Sequence, residues 1–148
     1  MNTETKLTLL GTAFAGIFSG AALYINVVEH PARLSCGEDI AHKQWAPSYN
    51  RAKTMQASLA FLGGLVGVIN YIKNKNKLTL WAGALLFSVI PFTFLATMPT
   101  NKILLDSGHS FSTNVKTELL TKWGKLHAVR TVASLVSFGI FLYALAKK

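Results

Sequence analysis

Glu29, His30, His127 and Arg130 are ionisable residues that stand at the edges of long apolar runs, where a bilayer tolerates charge badly. Together they offer the parts of a proton-transfer site. An imidazole can take or give a proton, a carboxylate can orient it, and a guanidinium can hold a developing oxyanion. Spacing supports the grouping. Trp123, His127 and Arg130 fall at i, i+4 and i+7, on one helical face, and Asn26, Glu29 and His30 share another face by i+3 and i+4. If the two faces meet, Glu29 can pair with Arg130 or orient His127. Such a pair could be purely structural, and Arg130 could instead reach out to lipid phosphates, so both kinds of reading stand beside the chemical one.

The elements that must position these residues are four hydrophobic segments, at 7–28, 55–72, 78–98 and 126–146. At roughly 1.5 Å of rise per residue, about 20 apolar residues match the roughly 30 Å hydrocarbon core. The expected fold is all-α: one integral membrane domain over 1–148, a bundle of four transmembrane helices with surface-lying helical links on one side. A chain crossing four times returns to its starting side. Both termini therefore lie with the short link 73–77, and the two long links lie opposite, with the candidate chemistry.

Composition narrows the partners. The net charge is +9, but the basic residues are scattered through links between apolar spans, so they suit lipid headgroups and not nucleic acid. Lys73, Lys75 and Lys77 crowd one very short link, which points to both termini being cytoplasmic; the compartment stays open. Cys36 is the only cysteine, so the chain can form neither an intramolecular disulfide nor a CxxC redox pair. The first apolar run is longer than the roughly 7–15 residues of a signal-peptide core and reads as a retained span. The histidines are His30, His42, His109 and His127. No His-xxx-His or Glu-xx-His spacing marks a metal site, and no pair is placed for haem ligation well inside the bundle, so neither metal nor haem is expected.

Small residues four apart, Gly16 with Gly20 and Gly63 with Gly67, predict close contact between the first and second spans. Pro91 should kink the third span near Phe87 and open a pocket lined by Phe92, Phe94 and Met98, with Pro99 ending the helix. Trp45 and Tyr49 place the first long link at headgroup level, over the bundle mouth. In the second, Val115, Leu119, Trp123 and Leu126 recur at helical spacing, so a surface helix runs straight into the fourth span.

These residues resemble a family of small membrane proteins, the anthrone oxygenases. The likeness is carried by Gly20 to Tyr24, then Val27-Val28-Glu29-His30-Pro31-Ala32-Arg33, then Trp45 with Tyr49 and Arg51. It continues through Pro91-Phe92-Thr93 with Met98, Asn101 and Leu104-Leu105, and ends on Trp123, His127 and Arg130, so it covers nearly the whole chain. The resemblance implies an oxygenase that converts an anthrone to an anthraquinone without an obvious cofactor. Chemistry applied to the matched positions makes His127 or His30 the base, Glu29 its orienter, and Arg130 or Asn101 the oxyanion partner. Trp45, Trp123 and Tyr49 supply aromatic walls for a lipophilic small molecule. The alternative is a non-enzymatic membrane protein, either a lipid-binding module or a subunit of a membrane complex. Homo-oligomerisation stays open.

Overall fold

The structure is a computed structural model and describes residues 1–106 and 112–147. His109 and the middle of the second long link lie outside the described residues. Among the described residues six α-helices follow one another: α1 (Thr3–Tyr24), α2 (His30–Ser35), α3 (Glu38–Asn74), α4 (Lys77–Phe92), α5 (Met98–Leu105) and α6 (Thr113–Ala146). No strand occurs among the described residues.

Two wide turns convert six helices into four rods. At Ile25–Glu29 and Thr93–Thr97 the backbone bonds lengthen by one residue: the His30 N–H reaches the Ile25 carbonyl and the Met98 N–H reaches that of Thr93. Each turn is followed, two residues on, by a proline, Pro31 and Pro99. A proline cannot donate to the carbonyl four residues back and its ring crowds that carbonyl. The extra residue in the preceding turn relaxes this conflict, so the rod continues where an ordinary helix would break. Pro99 therefore does not end the third span as expected; it sits in the first turn of α5, where a missing N–H costs little.

The resulting rods cover Thr3–Ser35, Glu38–Asn74, Lys77–Leu105 and Asn114–Ala146, and all four are long and apolar enough to cross a membrane. The multi-pass helical bundle read from hydropathy is thus the observed architecture. The 37 residues of α3 span roughly 55 Å against about 30 Å of hydrocarbon. Among the described residues the links are largely helical, as expected, and α3 and α6 each run unbroken from link into span.

Neighbouring rods pack in a square: α1 against α3 and α6, and α4 against α3 and α6. The termini and the 74–77 turn share one end, where Asn70 donates to Thr8 Oγ1 (3.0 Å) and Asn76 to Glu4 (2.8 Å). Asn76 also caps α4 by accepting from the Thr79 N–H at 3.1 Å. At the other end Gly37, with φ of +84°, makes the sharp reversal between α2 and α3 that a side chain would strain.

The small residues pack differently from the expectation. The first span does lie against the second, but Gly67 meets α4: a Cβ there would stand 2.5 Å from the Thr79 carbonyl oxygen and 3.0 Å from the Gly83 Cα. Gly16 lies under Phe138 of α6, and nothing approaches Gly20 within 4 Å. A glycine stripe marks where helices can approach closely without naming the partner.

Mid-bundle, Ala15, Phe18, Ala60, Leu86 and Phe141 form an apolar core. Towards the long-link end a second cluster contains Ile25, Trp45, Leu104, Leu120 and Trp123. Trp45 is fully buried there and not spread at a headgroup surface. Its ring stacks on Tyr49 (5.0 Å, 6°) and meets Trp123 edge-on (5.7 Å, 84°), which takes the tryptophan out of the interface and into the protein.

Candidate functional site

The wide turn Ile25–Glu29 decides which side chains of the first rod face the fourth. Asn26 points across to α6, where its Nδ2 donates to the Gly124 carbonyl at 3.1 Å. A carbonyl can only accept, so the amide orientation is fixed and Oδ1 is left as an acceptor. It accepts from Nδ1 of His127 at 2.7 Å and from the Thr131 hydroxyl at 2.5 Å. A neutral His127 ring therefore carries its proton on Nδ1 and presents the Nε2 lone pair. His127 is buried, with Trp123 beside it at 4.9 Å between ring centroids. The residue that orients His127 is thus Asn26, and not Glu29.

Glu29 leaves that face. It accepts from Arg33 Nη2 at 2.5 Å, from Ser48 at 2.8 Å and from Gln44 at 3.1 Å, while Gln44 also accepts from the Arg33 Nε. The expected contact of Glu29 with Arg130 is absent. After the turn, Arg33 stands one helical turn beyond Glu29 and captures the carboxylate at i+4, before any residue of α6 can. His30 is engaged on both sides, with Nε2 at 3.0 Å from the Leu120 carbonyl and Nδ1 at 3.5 Å from Arg33. It ties α2 to α6, and its ring lies where a Cβ on Gly124 would be, 2.7 Å away.

Arg130 is 9% exposed, and its Nη2 donates to Gln56 of α3 at 2.8 Å. Phe18 lies below the guanidinium at 5.8 Å. Among the described residues no carboxylate pairs with it. Two of the cavities that Arg130 borders also share Tyr49, Lys53 and Gln56. The larger, about 260 Å³, is a slot between α3 and the third rod, walled by Val89, Ile90, Phe94, Met98 and Ala57. That size approaches the lower end of the roughly 300–1,000 Å³ found for small-molecule clefts. The smaller, about 20 Å³, is bordered by Trp45, Trp123 and His127.

The pocket expected beside Pro91 is therefore present, with Phe94 and Met98 in its wall, while Phe92 turns to a separate crevice. Of the aromatic residues, Tyr49 borders both cavities, and Trp45 and Trp123 border only the small one. Asn101 lines neither; it is buried and donates to the Tyr49 hydroxyl at 3.1 Å, which places the phenol. Sequence reasoning named Arg33 without giving it a role and missed Gln56. The i+4 spacing from Glu29 was a signal for the first, and an amide within an apolar helix was one for the second. Among the described residues no three His, Cys, Asp or Glu side chains gather as a metal site would require.

Comparison with known proteins follows the same residues. The anthrone oxygenase family model matches residues 45–140, which include Trp45, Tyr49, Gln56, Asn101, Trp123, His127 and Arg130. The chain is 28% identical to anthrone oxygenase nsrD of Aspergillus novofumigatus, over 96% of this chain and 93% of the relative. It is 26% identical to an anthrone oxygenase of Claviceps purpurea, over 82% and 78% of the two chains. With anthrone oxygenase ptaC of Pestalotiopsis fici it shares 28% identity, over 76% and 91%. No solved structure matches the chain. By its match across most of the bundle and across the His127–Arg130 face, this chain belongs to the anthrone oxygenase family.

Proposed function

We propose that the protein is a cofactor-independent oxygenase in the bilayer, acting on an anthrone-like phenolic substrate that enters the slot from lipid. The observation that carries this reading is Arg130. A buried guanidinium with no carboxylate partner among the described residues is costly, and it borders an apolar slot of ligand size. An anion with a flat apolar body answers both features.

The chemistry needs few parts. His127 borders the small chamber, across the Tyr49, Gln56 and Arg130 wall that the chamber shares with the slot. When the reacting edge of the substrate reaches that wall, His127 Nε2 takes a benzylic proton, leaving an enolate whose charge is spread over the rings and balanced by Arg130 and Lys53. The enolate passes one electron to O₂, giving a carbon radical and superoxide, which couple to form a C–O bond. Protonation gives the hydroperoxide. Loss of the second benzylic proton, with O–O cleavage, expels hydroxide and leaves a carbonyl. Anthrone plus O₂ becomes anthraquinone plus water, and no external reductant is consumed. Asn26 and Thr131 keep the His127 lone pair on Nε2, while Glu29, His30 and Arg33 lock the α2 corner. Asn101 positions Tyr49.

An anaerobic experiment isolates the first step. Purified protein in nanodiscs mixed with an anthrone without O₂ should develop the long-wavelength absorbance of the enolate, and His127→Ala and Arg130→Gln should not. Wild-type spectra identical to those of empty nanodiscs would contradict the reading and turn attention to a lipid-binding or subunit role.

A further inference from the structure

The small chamber beside the slot is bordered by side chains that carry buried hydrogen-bond donors without partners. Trp45 Nε1, Trp123 Nε1, Gln56 Nε2 and Arg130 Nε are all buried and unpartnered, and all four belong to side chains that border this one chamber. Buried donors are rarely left so, because each loses its hydrogen bond to water. Here the pattern repeats around a single space, and the formal charge beside that space has one sign. Arg33, Lys53 and Arg130 border the chamber, and no aspartate or glutamate does. The Arg33 charge is balanced by Glu29; that of Arg130 meets only the neutral Gln56.

Volume limits the occupant. About 20 Å³ holds little more than one water-sized body, too small for a phosphate or a lipid headgroup. A water molecule accepts through two lone pairs and can give one proton to the His127 Nε2 lone pair, but it brings no charge to set against Arg130. A small oxygen anion accepts from every side and carries the charge that Arg130 lacks. Resting on the oxygenase reading of the slot, we propose that this chamber holds reduced oxygen, superoxide or hydroperoxide anion, as it forms beside the substrate. Trp45, Trp123 and Gln56 thereby become catalytic donors. One electron passes from the substrate enolate to O₂, and the chamber stabilises the O₂⁻ so formed until it couples with the carbon radical.

The test uses the full chain in nanodiscs with ¹⁵N-labelled tryptophan, whose indole signals come from Trp45, Trp81 and Trp123. Trp81 is exposed and serves as an internal control. Titration with chloride and with fluoride, as small redox-inert anions, should move the Trp45 and Trp123 signals saturably and leave Trp81 in place. Gln56→Glu keeps a partner for Arg130 but replaces a donor with a negative acceptor, and should abolish the response. In turnover, Trp45→Phe, which keeps the ring stacked on Tyr49, should lower kcat/KM for O₂ about 10-fold, with the anthrone affinity unchanged. No saturable response to either anion, or Trp81 moving with the others, would overturn the site. An anion response without anthrone turnover would support the chamber and remove the oxygenase reading; turnover without an anion response would do the reverse.

Discussion

His127 donates from Nδ1 to Oδ1 of Asn26 at 2.7 Å, a contact between the first and last rods that fixes the tautomer of the buried imidazole. Asn26 can serve because the wide turn beginning at Ile25 aims it at α6, where Gly124 leaves room for the first rod to approach. Asn26→Leu removes the acceptor while keeping the bulk. The expected result is a 10- to 100-fold fall in kcat, about 1.4–2.7 kcal/mol, with little change in substrate affinity. Equal losses in kcat and affinity would assign Asn26 to packing alone.

Glu29 and Arg33 form the ion pair of the α2 corner, with side chains 23% and 3% exposed. Glu29→Gln should lower stability by about 1–3 kcal/mol, below the range for a fully buried pair, because the carboxylate keeps contact with solvent. A double-mutant cycle in detergent should give clear coupling between Glu29 and Arg33. Between Glu29 and Arg130 it should give no more than about 0.5 kcal/mol. Strong coupling in the second cycle would restore the pairing expected from sequence.

Two glycines should respond oppositely to the same substitution. Gly67→Ala forces a methyl against the Thr79 carbonyl and Gly83 of α4, backbone atoms that cannot turn aside. A loss of about 1–3 kcal/mol in thermal unfolding is expected. At Gly20 nothing lies within 4 Å, so alanine should be neutral or stabilise the helix by up to about 1 kcal/mol.

Gly124→Ala tests the corner from the α6 side. The new methyl meets the His30 ring at 2.7 Å and should displace it from the Leu120 carbonyl. Loss of that hydrogen bond and the strain together should cost about 1–3 kcal/mol. Restored stability in Gly124→Ala with His30→Ala would confirm that the ring is the obstacle.

The spans were legible because twenty apolar residues in a row have few other uses, and the site's location was legible because charge at membrane depth is conspicuous. Partners were not. Hydropathy carries no trace of a wide turn, yet the turn at Ile25–Glu29 rotates Glu29 off the Asn26 face and hands it to Arg33. The prolines at 31 and 99 announce a disturbance, and the structure answers it by adding a residue to the turn rather than by ending the rod. Gln56 lies 74 residues from Arg130, beyond any local spacing rule, and only the packing of α3 against α6 joins them. The glycines likewise showed that helices approach, while the bulk of Phe138 and the backbone of α4 decided which.

If the His127–Arg130 face oxidises an anthrone-like substrate, O₂ must be consumed in step with quinone. Oxygen uptake and quinone formation by purified protein, corrected for spontaneous autoxidation, test it most directly. The wild type should show a rate well above background, with one O₂ consumed per quinone formed, and folded His127→Ala and Arg130→Gln should return to background. A wild-type rate equal to background, or one that both substitutions leave unchanged, would contradict it.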